Sequence, residues 1–139
     1  TIFEGEDCYL KLLDDVFHTL KGKKDAELLI SCSDDQKSPA SVNDSYRRIR
    51  KANIAMRQLI EDGNTYLMGA TTEYRFLPKS HFINRVLVIY GKKVAVMLDN
   101  ETKVMVLQDE VMAEVQRNIF NLLWETLPQP KETTAHERF

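Results

Sequence analysis

Hydrophobic residues recur along this chain with two spacings, one typical of helices and one typical of strands. Residues 6–20 place apolar side chains three and four positions apart, which predicts a helix with one buried stripe. Gly22 behind them suits a helix end, and residues 2–5 ahead of them predict a short strand or a turn. The apolar run over residues 26–32 predicts a buried strand. A helix followed at once by such a strand favours α/β layering.

A polar stretch without periodicity, residues 33–41, predicts a loop that leaves the end of this strand. In open α/β sheets, ligands bind at the carboxyl ends of the strands, so this loop is a candidate site. Behind it, Ser41 or Asn43 is suited to capping a second helix that we expect to run to about Asp62. The predicted buried seam of that helix consists of Tyr46, Ile49, Asn53, Ile54, Met56, Leu59 and Ile60.

The second half of the chain has mainly the pattern of strands. The predicted strands and extended pieces cover residues 65–69, 74–77, 84–90, 93–98 and 102–107. Gly91 allows a tight hairpin turn between the third and the fourth of these. Asp109 is predicted to cap a last helix that ends near Leu127, before Pro128, and residues 128–139 are predicted to form a flexible tail.

These elements predict one domain over residues 1–127, of the α/β class. We expect a mixed sheet with an antiparallel meander, covered by about three helices. A chain of 139 residues is long enough to bury a core of this kind. Its 43% hydrophobic and 29% charged residues are ordinary values for a globular domain.

Composition also excludes several classes of partner. The formal charge of -2 offers no general attraction for nucleic acid or an anionic membrane, and no apolar run reaches the ~18 residues of a membrane span. Cys8 and Cys32 are too few for a disulfide scaffold, and both lie in apolar patterns. We interpret them as buried free thiols of a cytoplasmic protein. Because the chain begins at Thr1 rather than at Met, we expect it to be either one domain of a longer protein, with any partner domain upstream, or a chain with a processed end.

The predicted second helix carries five basic residues: Arg47, Arg48, Arg50, Lys51 and Arg57. One interpretation is a face that binds phosphate or nucleic acid. The other is a solvated face neutralised by acidic neighbours such as Asp44 and Glu61. The second interpretation is favoured, because no aromatic residues interleave with the charges.

The sequence lacks the spacings of common metal and cofactor sites. His18, His81 and His136 lie too far apart for a zinc pattern, and the five glycines are too dispersed for a phosphate-binding loop. We therefore predict neither a metal nor a cofactor. Polar side chains gather instead ahead of the hairpin and at the end of the second strand. The predicted ligand-binding residues are Ser31, Ser33, Arg75, His81, Asn84 and Arg85. The alternative for the two arginines is pairing with acidic surface residues such as Glu73 or Asp99.

Four pieces of the sequence resemble the effector domain of TrmB-type transcriptional regulators. They are residues 2–5 with the helix behind them, residues 73–78 (EYRFLP), residues 88–95 (VIYGKKVA) and residues 118–125 (NIFNLLWE). The resemblance implies a single-repeat phospholipase D-like fold. It also implies a domain that senses a small molecule, such as a sugar or an anion, or that forms a homodimer. DNA would be bound only through a winged-helix domain upstream of this chain, and no membrane is implied.

The resemblance also provides a test for enzymatic activity. Catalytic phospholipase D-like proteins carry a histidine nucleophile, a lysine two positions on, and an acidic residue just before a turn. Alignment on Gly91 places Ile83, Arg85 and Tyr90 at these positions. Isoleucine cannot attack phosphorus and tyrosine is no carboxylate, whereas Arg85 can still hold an anion. We therefore predict that the chain is not an enzyme.

The function predicted from the sequence is a ligand-sensing or dimerising domain of a cytoplasmic transcriptional regulator. Two alternatives stay open. One is a divergent phosphodiesterase or nuclease-like enzyme that uses His81. The other is a protein-interaction module, in which the second helix or the last helix, with Trp124, packs on a partner.

Overall fold

The protein is described by a computed structural model of residues 1–139, in which the side chains of Asp99 and Asn100 lie outside the description. Seven strands form one sheet: β1 Ile2–Glu4, β2 Glu27–Ser33, β3 Ala55–Glu61, β4 Tyr74–Leu77, β5 Leu87–Tyr90, β6 Lys93–Leu98 and β7 Lys103–Gln108. The helices are α1 Cys8–Leu20, α2 Ala40–Lys51, the single turn α3 Asp99–Thr102 and α4 Glu110–Thr126.

The strands lie in the order β1-β7-β6-β5-β2-β3-β4. β2, β3 and β4 run parallel, and the other neighbouring pairs are antiparallel. The hairpin of β5 and β6 turns at Gly91, whose φ of 59° lies in the left-handed region that glycine adopts without strain. The predicted α/β class and the mixed sheet with an antiparallel meander are confirmed.

Different helices cover the two faces of the sheet. On one face, α1 and α2 pack over a large core that includes Leu28 and Ile30 of β2. On the other face, α4 places Phe120 against Leu29 and Ile89. Because β2 is covered on both faces, its side chains are apolar without alternation, as its sequence indicated.

The last helix follows its prediction closely. The Asp109 carboxylate accepts a hydrogen bond from the backbone N–H of Met112 at 2.8 Å and so caps α4. The helix ends at Thr126, ahead of Pro128. The stripe of residues that predicted α1 is also buried, with Leu12, Leu13 and Val16 at most 1% exposed.

The prediction for the second helix is wrong at both ends. α2 begins at Ala40 behind Pro39 rather than at Ser41 or Asn43, and it ends at Lys51 rather than near Asp62. Asn53 then adopts a left-handed φ of 60°, and Ala55–Glu61 forms β3. Central parallel strands are buried on both faces and lack alternation. The apolar residues of β3 therefore have spacings that also occur in a helix, and the predicted second helix was extended through them.

Two predicted strands also differ from the structure. Residues 65–69 form a loop, in which Leu67 is buried and bonds through its backbone N–H and C=O to the Thr133 hydroxyl. Leu67 and Met68 are buried although they lie in a loop, and this burial gives the sequence the same apolar pattern as a buried strand. The predicted strand 84–90 begins only at Leu87.

The C-terminal segment 128–139 packs against the loop formed by residues 65–69. The backbone N–H of Phe76 donates to the carbonyl of Pro128, and the N–H of Phe139 donates to that of Met68. The ring of Phe139 packs edge-on against Tyr46, with the centroids 5.3 Å apart. The predicted flexibility of this tail concerns motion rather than position, and it stays a prediction.

Candidate functional site

A cleft of about 270 Å³ opens where the chain leaves β2. The loop after β2 forms one side, the first turns of α1 and α2 form the floor, and the segment ahead of β5 forms the other side. The polar and charged residues that line it are Glu6, Tyr9, Ser33, Asp34, Lys37, Ser38, Ser41, Tyr46, Asn84, Arg85 and Glu101. The cleft lies at the carboxyl end of the parallel strands, where ligands bind in open α/β sheets.

A bulge in β2 aims Ser33 at this cleft. The register of β2 on β3 shifts between Ser31 and Ser33, and Cys32 between them has a left-handed φ of 62°. Ser31 therefore pairs with Leu59 on the α4 face, while Ser33 reaches the opposite face. There its hydroxyl donates to the Gln58 side-chain carbonyl at 2.6 Å.

A buried carboxylate lies next to the cleft. Asp35, 3% exposed, accepts hydrogen bonds from the Tyr74 hydroxyl at 2.6 Å and from the backbone N–H of Met68 at 2.9 Å. The Tyr74 oxygen in turn accepts from the N–H of Gly69 at 2.8 Å. Burial raises the pKa of Asp35, and the bonds from Tyr74 and Met68 oppose that rise. This network ties the loop after β2 to the loop before β4.

Two tyrosines from different helices meet at the cleft floor. The hydroxyls of Tyr9 on α1 and Tyr46 on α2 are 2.5 Å apart. Burial raises the pKa of Tyr9 to about 12 and raises that of Tyr46 well above its usual value. Both therefore remain neutral at physiological pH and present hydroxyl groups rather than charge.

The structure brings together only part of the predicted site. Ser33, Asn84 and Arg85 line the cleft. Ser31 and Arg75 lie on the opposite face of the sheet, under α4. The prediction of one cluster treated Ser31 and Ser33 as neighbours on one face, which the bulge prevents.

Arg75 packs rather than opening to a cleft. Its guanidinium lies 4.2 Å from the centroid of the Trp124 ring and donates to the backbone carbonyls of Thr72 and Tyr74. Burial lowers its pKa, and the neighbouring Arg57 adds to that effect. Glu73, its suggested partner, pairs with Arg50 instead. Arg75 therefore contacts Trp124 and backbone carbonyls on the α4 face and does not line the cleft.

Asp99, which was suggested as an acidic partner for the arginines, lies outside the residues whose side chains are described. His81 is exposed in a short turn ahead of β5, and its ring Nδ1 lies 3.0 Å from the Ser80 hydroxyl. It does not line the cleft.

The three positions that correspond to the phospholipase D motif have distinct surroundings. Ile83 is 75% exposed. Arg85 lines the cleft. Tyr90 is fully buried and donates to the Asp15 carboxylate at 2.9 Å, an arrangement that belongs to the core.

Sequence reasoning missed the tyrosines and Asp35. Tyr9 lies within the apolar stripe predicted for residues 6–20, and Tyr46 was assigned to the buried seam of the second helix, so neither stood out as a polar residue. Asp35 lay in a polar loop among other hydrophilic residues, and its burial had no signal in the sequence.

The basic residues of α2 are mostly paired. Arg47 lies 2.9 Å from Asp44, Arg48 lies 3.0 Å from Asp14, and Arg50 pairs with Glu73. This pairing agrees with the interpretation of α2 as a neutralised, solvated face.

The described residues contain no cluster of three histidine, cysteine or acidic side chains arranged to hold a metal ion. Within the same residues, no helix has the length and apolar character required to cross a membrane.

Comparison with known proteins identifies the architecture. Neither a protein-family model nor a curated protein matches the sequence. Among solved structures, Nuc, a phospholipase D family member from Salmonella typhimurium, matches 95% of this chain and 97% of its own, with a TM-score of 0.67 and 7% identity. The chain has a phospholipase D-like fold. TrmBL2, an archaeal chromatin protein whose structure shows a novel mode of DNA binding, matches 94% of this chain with a TM-score of 0.59 and 14% identity.

The match to TrmBL2 confirms the predicted resemblance at the level of the fold. The chain spans only 54% of the TrmBL2 chain, so it corresponds to about half of that protein. Identities of 7% and 14% carry no information on individual residues. The functional conclusion must therefore come from the cleft itself.

Proposed function

We propose that this chain is the non-catalytic, ligand-sensing domain of a cytoplasmic transcriptional regulator, and that the cleft at the end of β2 is its ligand site. The observation that carries the proposal is the composition of the cleft. Arg85 lies on its wall, while none of the three histidines of the chain does. A phosphodiesterase of this fold needs a histidine nucleophile, whereas a binding site needs only the cation and the hydrogen-bonding groups.

The chemistry of the cleft favours a small, neutral, hydroxylated molecule. Arg85 and Lys37 are opposed by Glu6, Asp34 and Glu101, so the wall has no excess of positive charge. The serine and tyrosine hydroxyls offer both donors and acceptors. A volume of about 270 Å³ suits a monosaccharide-sized ligand better than a nucleotide.

The structural neighbour TrmBL2 supports the regulatory part of the proposal. Its name describes a chromatin protein that binds DNA, and this chain corresponds to about half of it. We assign any DNA binding to a domain outside this chain, because the net charge of -2 gives this domain no general attraction for a polyanion.

A thermal-shift screen tests the proposal, with glucose, maltose, glucose 6-phosphate, inorganic phosphate and AMP as probes. A stabilising compound is expected, because a ligand that binds only the folded state raises the melting temperature. Arg85→Ala should remove the shift. Arg75→Ala is the matched control, since this arginine lies on the other face and should leave the shift unchanged. A shift that survives Arg85→Ala and is lost in Arg75→Ala would place the ligand elsewhere.

Hydrolysis of bis-p-nitrophenyl phosphate tests the non-catalytic part. The wild type and His81→Ala are expected to give equal rates at the level of the buffer. A wild-type rate above that level which falls in His81→Ala would instead support the divergent phosphodiesterase.

A further inference from the structure

The loop of residues 65–69 is bonded to the buried network beside the cleft. The backbone N–H of Met68 donates to the Asp35 carboxylate at 2.9 Å, and the backbone N–H of Gly69 donates to the Tyr74 hydroxyl at 2.8 Å. Asp35 itself belongs to the loop that leaves β2 and forms one side of the cleft. The position of Met68 and Gly69 therefore bears directly on that side of the cleft.

The carbonyls of the same two residues are bonded to the C-terminal segment 131–139, which we call the strap. The carbonyl of Met68 accepts from the backbone N–H of Phe139 at 3.0 Å. The carbonyl of Gly69 accepts from the Arg138 guanidinium at 2.8 Å. Two successive residues thus use their N–H groups for the buried network and their C=O groups for the strap.

Further bonds fasten the strap to the same loop. The Thr133 hydroxyl accepts from the backbone N–H of Leu67 at 3.0 Å and donates to the carbonyl of Leu67 at 2.7 Å. The backbone N–H of Thr134 donates to the carbonyl of Thr65 at 2.8 Å. The loop is therefore held along most of its length by the strap.

Phe139 gives the strap a second route to the cleft. Its ring packs edge-on against Tyr46 with the centroids 5.3 Å apart, and the Arg50 guanidinium lies 5.0 Å from the centroid of the same ring. The Tyr46 hydroxyl lies 2.5 Å from that of Tyr9 at the cleft floor. The strap thus reaches the floor through Tyr46 and the wall formed by residues 33–41 through Asp35.

The strap itself is held by few buried contacts. Phe139 is partly buried and packs against the core, but six of the nine strap residues are exposed: Lys131, Glu132, Thr134, His136, Glu137 and Arg138. Segments with little buried apolar area and exposed hydrogen bonds open at a lower free energy than the whole domain. Coupling between two places in a protein requires such an element with two states, here a docked and a released strap.

We propose that residues 131–139 are a releasable strap that holds the wall and the floor of the cleft in place, and that its release loosens both. The proposal concerns the cleft without any ligand, so it goes beyond the proposed ligand-sensing function and does not depend on it. Linkage gives the strap a regulatory role. A molecule that binds the strapped cleft more tightly favours docking, and a partner that captures the strap weakens that binding by the same factor.

Amide hydrogen exchange of the whole chain without ligand, followed by nuclear magnetic resonance, tests the strap. In the wild type, the amides of Thr134 and Phe139 should exchange at least tenfold more slowly than in an unstructured peptide. Phe139→Ala should remove the protection of Thr134. The amides of Met68 and Gly69 should then exchange at least tenfold faster.

The same acceleration should extend to the cleft wall. The amides of Gln36, Lys37 and Ser38 are bonded within the loop after β2, so their exchange reports the opening of that loop. Thr133→Val should act in the same direction as Phe139→Ala, because valine cannot bond to the backbone of Leu67. Glu132→Ala is the matched control: Glu132 is an exposed strap residue, and its substitution should leave all these rates unchanged.

The amides of residues 28–30 in the central strand β2 report global unfolding and should keep their wild-type rates in every variant. Strap amides without protection in the wild type would overturn the proposal. So would a strap that is released by Phe139→Ala while Gln36, Lys37 and Ser38 keep their rates. Equal acceleration of the wall and of β2 would assign the effect to global stability and overturn it as well. The same acceleration in Glu132→Ala would contradict anchoring by Phe139 and Thr133.

Discussion

Replacing Tyr74 with phenylalanine tests the polar network beside the cleft. The hydroxyl donates to buried Asp35 at 2.6 Å and accepts from the N–H of Gly69 at 2.8 Å. A hydrogen bond to a charged group contributes about 1.5–3 kcal/mol, and a buried N–H without a partner costs about 1–3 kcal/mol. Because both effects arise in a fully buried position, we expect Tyr74→Phe to lower the free energy of unfolding by about 3 kcal/mol at pH 7. The melting temperature should fall by ~10 °C.

The loss should depend on pH because it acts on the Asp35 carboxylate. The pKa of Asp35 is raised in the folded state, so its contribution to stability is full below its unfolded pKa and is lost as the pH rises through the folded pKa. Tyr74→Phe removes a bond that lowers this pKa and therefore raises it further. The difference in stability between wild type and variant should shrink as the pH falls from 7 towards 4.

Urea denaturation at pH 7 and pH 4 provides the measurement, and Tyr90→Phe is the matched control. Tyr90 is equally buried, but its acceptor Asp15 is partly exposed and keeps a bond from Lys93 at 2.9 Å. We expect a loss of only about 1 kcal/mol at both pH values. Equal losses for Tyr74→Phe and Tyr90→Phe at both pH values would refute the role assigned to Asp35. In an Asp35→Asn background, the cost of Tyr74→Phe should become smaller and independent of pH.

Two further predictions concern a helix cap and the thiols. Asp109→Ala should lower the free energy of unfolding by about 1 kcal/mol in urea denaturation, because the N–H of Met112 loses its acceptor; an unchanged stability would contradict the cap. In native protein treated with iodoacetamide and followed by mass spectrometry, Cys8 should react more slowly than Cys32. Cys8 is buried and its pKa is raised by that burial, while Cys32 is half-buried; faster reaction at Cys8 would contradict this placement.

Two of the features that the sequence predicts well have a local signature. β7 alternates between buried and exposed side chains, and Asp109 marks the start of α4 as its cap. β3 was missed because burial on both faces removes alternation, and Met56 and Ile60 happen to lie four residues apart. Helix and strand patterns cannot be distinguished over so short an apolar run.

The candidate site was predicted only in part for a different reason. Arg75 and Arg85 lie ten residues apart, and no local pattern reports that the sheet separates them. Ser31 and Ser33 were separated by a bulge at Cys32, a residue type that seldom adopts a positive φ. Arg85, which alignment on the turn at Gly91 singled out, lines the cleft.

The most direct test of the ligand cleft is a two-dimensional ¹H–¹⁵N spectrum of the whole chain, titrated with the strongest stabiliser from the thermal-shift screen. We expect shifted amide resonances for residues 33–41 and for Asn84, Arg85 and Val86 on the two sides of the cleft. The amides around Arg75 and Trp124, on the other face, should keep their positions. Shifts confined to that other face, or no shifts at saturating concentrations of any probe, would contradict the assignment of this cleft as the ligand site.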